Sequence, residues 1–402
     1  MLIKRKILEK KRKMNDIERR KLLIESLKHS PNFDRDKIIF IKAPGRVNLV
    51  GGHTDYNLGY VLPCAVDRNI MIAAFSIEDK TATYKSINFK EEESFDIEDY
   101  DKIKAGWINY IKGIMKGYKD HNFVINGLIA AIHGTIPIGS GMGSSGAYEV
   151  ANALTLKELN SIEISNLDLV KICFHAERDF LGIETGIMDQ FTSLFGEKDS
   201  AICIDCKTLN YEVIKFPKQD IKLLVIDTNV KRAAKDALNQ RKEECAKAIN
   251  ILKDKGIEIQ SLRDLTIEKF EKVQNILPSK IAKRVKHIVY ENDRVLKAKN
   301  ALKDGNLKLV GEYMKESHLS LKNDYEVSCK ELDCIFENTK NLHGIYGIRM
   351  TGAGFGGCLV ALIQREYENR LIKEIDKNYY NSMNKHASIY SCSISQGAIK
   401  LN

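Results

Sequence analysis

Proline and tryptophan are scarce in this chain of 402 residues, at six and one. No proline- or serine-rich linker and no internal repeat divides it. No apolar run approaches the roughly 18 residues of a membrane span. No short apolar core follows the basic N-terminus as a secretory signal would require. Neither a membrane protein nor a secreted one is expected. The nine histidines show no spacing typical of metal ligands, alone or with cysteine, so no zinc site is expected. The cysteines lie mostly in apolar surroundings, as in Ile172-Cys173-Phe174, which reads as reduced thiols of a cytoplasmic protein. Cys203-Ile-Asp-Cys206 has redox spacing but lies in strand-like alternation, where residues three apart face opposite sides. Two structural thiols are expected there. There is no Gly-x-x-x-x-Gly-Lys-Ser/Thr, and no His-Arg-Asp or Asp-Phe-Gly. That excludes a P-loop protein and a protein kinase.

What remains is an ordinary globular composition, 44% hydrophobic and 29% charged. The length predicts two domains. Of the nine net positive charges, seven fall in residues 1–30, which hold eleven Lys or Arg against four Asp or Glu. The body is nearly balanced, so no nucleic-acid-binding body is expected. The Lys4–Lys13 run suits either RNA or an anionic surface, or a solvated, helical N-terminal arm, and the arm is the expectation.

Ile38–Ala43 reads as a strand running into a Pro-Gly turn, and Asn69–Phe75 as another strand. Asn122–Asn126 and Ala130–Gly134 read as strand pieces. Helices are expected over Trp107–Tyr118, Ser145–Leu159 and from a Ser165-Asn-Leu-Asp168 capping box to Gly182. On the last helix Glu177 borders the apolar stripe. It is either a carboxylate with something specific to bind or an ordinary, partly exposed acid. A strand at Leu223–Asp227 opens the second half, with a junction near 210–222 and helices over Lys235–Lys255 and Ile281–Lys303.

Three motifs carry chemistry. In Pro137-Ile-Gly-Ser-Gly-Met-Gly-Ser-Ser-Gly-Ala147, small residues open a helix. Glycines let a backbone approach a ligand closely. The first N–H groups of a helix lack intrahelical partners and carry the positive end of its dipole, so such a place holds phosphate. Gly352-x-Gly354-x-x-Gly357 matches the dinucleotide fingerprint formally, but a buried-type strand follows it where a helix is required. It is expected to be a loop pressed against another loop or a ligand. Arg46, His53 and Asp55 share one turn-rich segment, which suits either a hydroxylated ligand or a structural polar loop.

These motifs together resemble the galactokinase group of the GHMP small-molecule kinases. Pro44-Gly-Arg-Val-Asn-Leu-Val-Gly51 with His53-Thr-Asp-Tyr-Asn57, the Gly139–Ala147 loop, and Arg349-Met-Thr-Gly-Ala-Gly-Phe-Gly-Gly-Cys358 match in order and spacing. Smaller matches are Trp107-Ile-Asn-Tyr-Ile-Lys-Gly113, Gly186-Ile-Met-Asp-Gln-Phe191 and Ile204-Asp-Cys-Lys-Thr-Leu209. The resemblance covers all but the first 30 or so residues.

It implies an α+β fold of two domains, a ribosomal-protein-like N-terminal domain over 31–215 and a ferredoxin-like C-terminal domain over 216–402, with the active site in the cleft between them. It implies a sugar 1-kinase using ATP and Mg²⁺, acting as a cytoplasmic monomer with no macromolecular partner. Asp189 would be the catalytic carboxylate and Arg46 would stabilise charge beside it. His53, Asp55 and Gly186 would meet the sugar. The backbone of Gly139, Ser140, Gly141, Met142, Gly143, Ser144 and Ser145 would wrap the phosphates, with Trp107 and Tyr110 near the adenine. Ser145 and Glu177 would hold Mg²⁺. Beside an arginine, Asp189 is expected to stay ionised, a weak base but a good acceptor.

The chain departs from the pattern at three places. Gly52 stands where the family usually has glutamate, Leu238 where it has a tyrosine, and Met142-Gly143 where Leu-Ser is usual. The first two are sugar contacts. Glycine at 52 is expected to open room at the C6 end and to remove a negative charge. That leaves galactose as the expected sugar, with arabinose, galacturonate or an N-acetylated hexosamine as alternatives. A galactokinase-like sugar sensor without turnover is the rival class. It is disfavoured by the presence of Ser144, Ser145, Glu177 and Asp189.

Overall fold

The computed structural model describes residues 14–104, 106–137, 139–218, 220–230 and 234–402. The basic run Lys4–Lys13 lies outside the described residues.

Helix α1 (Asp16–Leu27) precedes β1 (Ile39–Asn48), β2 (Tyr60–Val61), β3 (Pro63–Ile77), β4 (Thr81–Ser86) and β5 (Glu91–Asp96). Then come α2 (Gly106–Asp120), β6 (Gly127–Gly134), α3 (Ser144–Leu159), α4 (Asn166–His175) and α5 (Met188–Phe195). Strands β7 (Ser200–Asp205) and β8 (Tyr211–Lys215) pair with β2 in a small sheet. The second half holds β9 (Ile221–Asp227), α6 (Ala234–Asp254), α7 (Ile267–Val273), α8 (Ser279–Lys303), α9 (Leu307–Asn323) and α10 (Lys330–Thr339). Strands β10 (Ile345–Thr351) and β11 (Cys358–Gln364), helix α11 (Glu368–Met383), and strands β12 (Ser388–Cys392) and β13 (Ile399–Leu401) complete it.

The large sheet has the order β13-β1-β3-β6-β4-β5, and the second sheet the order β10-β11-β9-β12. Strand periodicity sorts the residues of β3 to two faces. Ile70, Ile72 and Ala74 join the main core under α2 to α5, while Met71, Ala73 and Phe75 meet Leu23 and Leu27 of α1. The second sheet is split in the same way. Leu224, Ile226, Leu359 and Ala361 pack under the helices of the second half, but Leu223, Val225, Val360 and Leu362 belong to the main core.

Beyond the Lys4–Lys13 run, Arg19 on α1 is 1% exposed and is tied to Asn69 Oδ1 at 2.5 Å and to His133 Nδ1 at 3.0 Å. Three expectations need correction. Pro44-Gly45 is not a turn. β1 runs on through it with a register shift between Pro44 and Arg46, a bulge that accommodates proline's missing donor. Residues 122–126 are not a strand, because β6 begins at Gly127. The α4 helix stops at His175, and Ala176–Phe180 is a π-helical turn.

Candidate active site

The bulge in β1 re-aims Arg46 into the cleft. Its guanidinium makes a bidentate pair with Asp189, Nε to Oδ1 at 2.7 Å and Nη2 to Oδ2 at 2.8 Å, while Nη1 donates to the Gly141 carbonyl. Asp189 lies in the first turn of α5. Gly146 allows that approach, since a Cβ there would lie 2.7 Å from Asp189 Cβ and 2.9 Å from its backbone carbonyl carbon.

The glycine loop reaches the same point. Gly139, Gly141 and Gly143 all have φ between 66° and 76°, and Gly143 caps α3 with no side-chain hydrogen bond to the helix start. The first amides of α3, at Ser144 and Ser145, therefore have no capping side chain. A Cβ on Gly143 would sit 3.1 Å from Asp189 Oδ2 and 3.1 Å from Arg46 Cγ. The 139–145 loop and the Asp189 carboxylate thus lie against each other. Behind Gly141 stands the second glycine run, with Thr351 O 3.2 Å from a Cβ at Gly141. β10 and β11 are antiparallel neighbours, so residues 352–357 form a hairpin loop and not a dinucleotide fingerprint.

Glu177 sits on the π turn and is 3% exposed, so it is not a solvated acid. It accepts from Thr185 Oγ1 at 2.8 Å, from Gln190 Nε2 at 2.9 Å and from the Ser145 hydroxyl. Burial first, and the charge of Asp189 second, raise its carboxyl above the ordinary range. Gln190 Nε2 also donates to the fully buried Glu149 at 2.7 Å. Mg²⁺ keeps several waters and phosphate oxygens beside one or two protein donors. A serine hydroxyl facing a carboxylate is such a donor set, so Ser145 and Glu177 fit the ion.

On the other side of Arg46 lies a cavity of about 150 Å³. His53, Asp55, Gly186, Asp189, Arg349 and Leu238 line it. His53 has φ +61°, its ring packs on Tyr325 at 4.9 Å, and its Nδ1 is 2.7 Å from Tyr56 Oη. Burial lowers its pKa to about 3, so it is neutral. Asp55 opens a 3₁₀ turn, and its carboxyl is pushed up to about 6 by burial and then by Asp189. Gly186 lies flat against it, since a Cβ there would fall 2.1 Å from Asp55 Oδ2.

The glycine at 52 does not open room. A Cβ there would be 2.5 Å from Arg349 Nη2 and 3.1 Å from Leu321 Cδ1, so a guanidinium already fills the place. The loop is held from behind by α8. Glu291 accepts from the Gly51 and Gly52 amides at 2.8 and 2.9 Å, and His287 Nε2 is 2.9 Å from Gly52 O.

Trp107 lies farther out on α2, with Nε1 donating to Glu91 at 2.7 Å and its ring 6.5 Å from that of Phe89. Tyr110, one turn on, packs edge-on against Tyr148. Burial, and next the charge of Glu177, raise its pKa, which places it on the Glu177 side.

Three family patterns map onto this site. The galactokinase galactose-binding signature matches residues 27–75, the N-terminal domain of GHMP kinases residues 109–197, and their C-terminal domain residues 298–381. Galactokinase of Fusobacterium nucleatum is 40% identical over 366 residues, covering 89% of this chain and 94% of that protein. The chain belongs to the galactokinase family of the GHMP kinases. A galactokinase of Bacillus subtilis is 37% identical over 375 residues, 92% of this chain and 96% of its own. The crystal structure of Lactococcus lactis galactokinase complexed with galactose superposes with a TM-score of 0.90 at 35% identity, covering 95% of this chain and 99% of that one. Methanococcus jannaschii mevalonate kinase, at 20% identity and a TM-score of 0.64, shares the fold. The α+β, two-domain GHMP architecture is therefore that of this galactokinase-family chain.

Sequence reasoning missed Arg349 as cavity wall, Gln190 as the bridge between two buried acids, and Glu149 beneath it. Gln190 stands next to Asp189 in a quoted motif, and Arg349 opens another. Neither motif says what the side chain touches.

Proposed function

We propose that this chain transfers the γ-phosphoryl group of ATP to the anomeric hydroxyl of D-galactose, giving α-D-galactose 1-phosphate and ADP. The observation that carries the reading is the bidentate Arg46–Asp189 pair in contact with the uncapped start of α3. Phosphoryl transfer needs positioning and charge neutralisation more than covalent help. The cavity holds the sugar with its anomeric oxygen toward Asp189, which accepts the hydroxyl's hydrogen bond. His53, Asp55 and Gly186 surround the ring. The 139–145 backbone and the α3 amides receive the phosphates, and Trp107 and Tyr110 flank the adenine. Ser145 and Glu177 would hold Mg²⁺, which when bound would neutralise charge on the phosphate oxygens. Arg46 keeps the carboxylate oriented and faces the transferring group.

Coupled ADP release with galactose tests this. Asp189→Ala is expected to lower kcat by roughly 10²–10⁴-fold while galactose still binds. Turnover within ten-fold or so of the parent would remove Asp189 from this role. Sugar binding without ADP release by the unmodified protein would mark it as a sensor.

A further inference from the structure

Arg349 is a buried cation almost without partners. It is 2% exposed and lines the sugar cavity. Among the described residues it makes one hydrogen bond, from Nε to the neighbouring Met350 carbonyl at 3.0 Å. Nη1 has no hydrogen-bond partner and lies 3.9 Å from Glu291. That carboxylate already accepts from two amides and from Ser317, and it pairs with Arg294. Nη2 stands beside Gly52, where the backbone offers no side chain to meet it. A guanidinium presents five N–H donors in a fork that matches a carboxylate. The other guanidinium of the cavity wall, Arg46, is fully engaged by Asp189 and Gly141.

We propose that the Arg349–Gly52 wall recognises a carboxylate on the sugar, so that the site also phosphorylates a hexuronic acid, a galactose oxidised at C6. The inference rests on the sugar 1-kinase reading above and extends it to an acidic acceptor. In an aldohexose with a free anomeric hydroxyl, C6 is the carbon that carries a carboxylate without opening the ring. Of the charged groups lining the cavity, Arg46 and Asp189 neutralise each other and Glu184 is paired with Lys242 at 3.3 Å, leaving Asp55, which lies against Gly186, and Arg349, which lies against Gly52. A glutamate at 52 would pair with Arg349 and repel an acidic sugar, and glycine withdraws that repulsion. In the reaction the anomeric oxygen bonds to the γ-phosphorus as the bond from that phosphorus to ADP's oxygen breaks. The hydroxyl proton passes to water and the C6 carboxylate is unchanged.

The test is ADP-release kinetics with D-galactose and D-galacturonate, with the products identified by mass spectrometry, for the unmodified protein, Gly52→Glu and Arg349→Gln. The unmodified protein is expected to turn over both sugars. Each substitution is expected to lower the galacturonate-to-galactose ratio of kcat/KM by roughly ten-fold or more. Galactose turnover without galacturonate turnover overturns the inference and leaves the galactose reading standing. Loss of both in the unmodified protein overturns the two together. If Arg349→Gln does not fold, judged by its melting, Gly52→Glu decides, and an unmoved ratio there removes Arg349 from recognition.

Discussion

Asp55 shows how one residue ties burial to chemistry. Its carboxyl titrates at about 6 rather than at the ordinary 3.8, because it is removed from water and faces Asp189. A raised acid binds its proton more tightly in the folded state. Between 3.8 and 6 its contribution to stability therefore grows as pH falls, while the ionised acceptor is lost. Galactose kcat/KM is expected to fall below pH 6, approaching about ten-fold per pH unit, and Asp55→Asn is expected to flatten that limb. A profile with the same limb in the variant would assign it to another group. The ionisable residues themselves were legible, since Arg46, Asp55 and Asp189 stand in quoted motifs and Glu177 borders the apolar stripe of its helix. Their surroundings were not. Whether position 52 faces space or a guanidinium depends on Arg349, which lies far along the chain and is brought there by tertiary packing.

At the scale of elements, the sequence announced strands and helices by period and caps, and it located the glycine loop and the helix after it. It did not announce the β1 bulge or the π turn. Both break the regular period, and both carry candidate site residues, Arg46 and Glu177. Pro44-Gly45 looks like a turn by composition, but pairing with β3 on both sides overrides it. The join between α3 and α5 has its own test. Gly146→Val places atoms inside the backbone of α5 and is expected to destabilise by roughly 1–3 kcal/mol. It should also lower kcat more than it raises the KM for galactose, because Asp189 moves relative to the phosphates. Urea denaturation and steady-state kinetics read the two effects, and unchanged kcat would show that the contact is merely structural.

Across the whole molecule the two halves are woven together. The second sheet gives one face to the main core, α8 holds the Gly51–Gly52 loop through Glu291 and His287, and β13 returns to pair with β1. The return of β13 to β1 was not read from the sequence, because three residues of edge strand leave little pattern to read. α1 closes the other face with Arg19 buried in it. Arg19→Ala leaves the Asn69 and His133 acceptors without their donor and is expected to lower stability by roughly 1–3 kcal/mol, measured as a lower urea midpoint. An unchanged midpoint would mean that water replaces the guanidinium. The late arrival of β13 also bears on how the protein is made. On the ribosome, β1 keeps an open edge until residues 399–401 follow everything between, so the nascent chain is exposed to sticky edge-to-edge pairing over that interval.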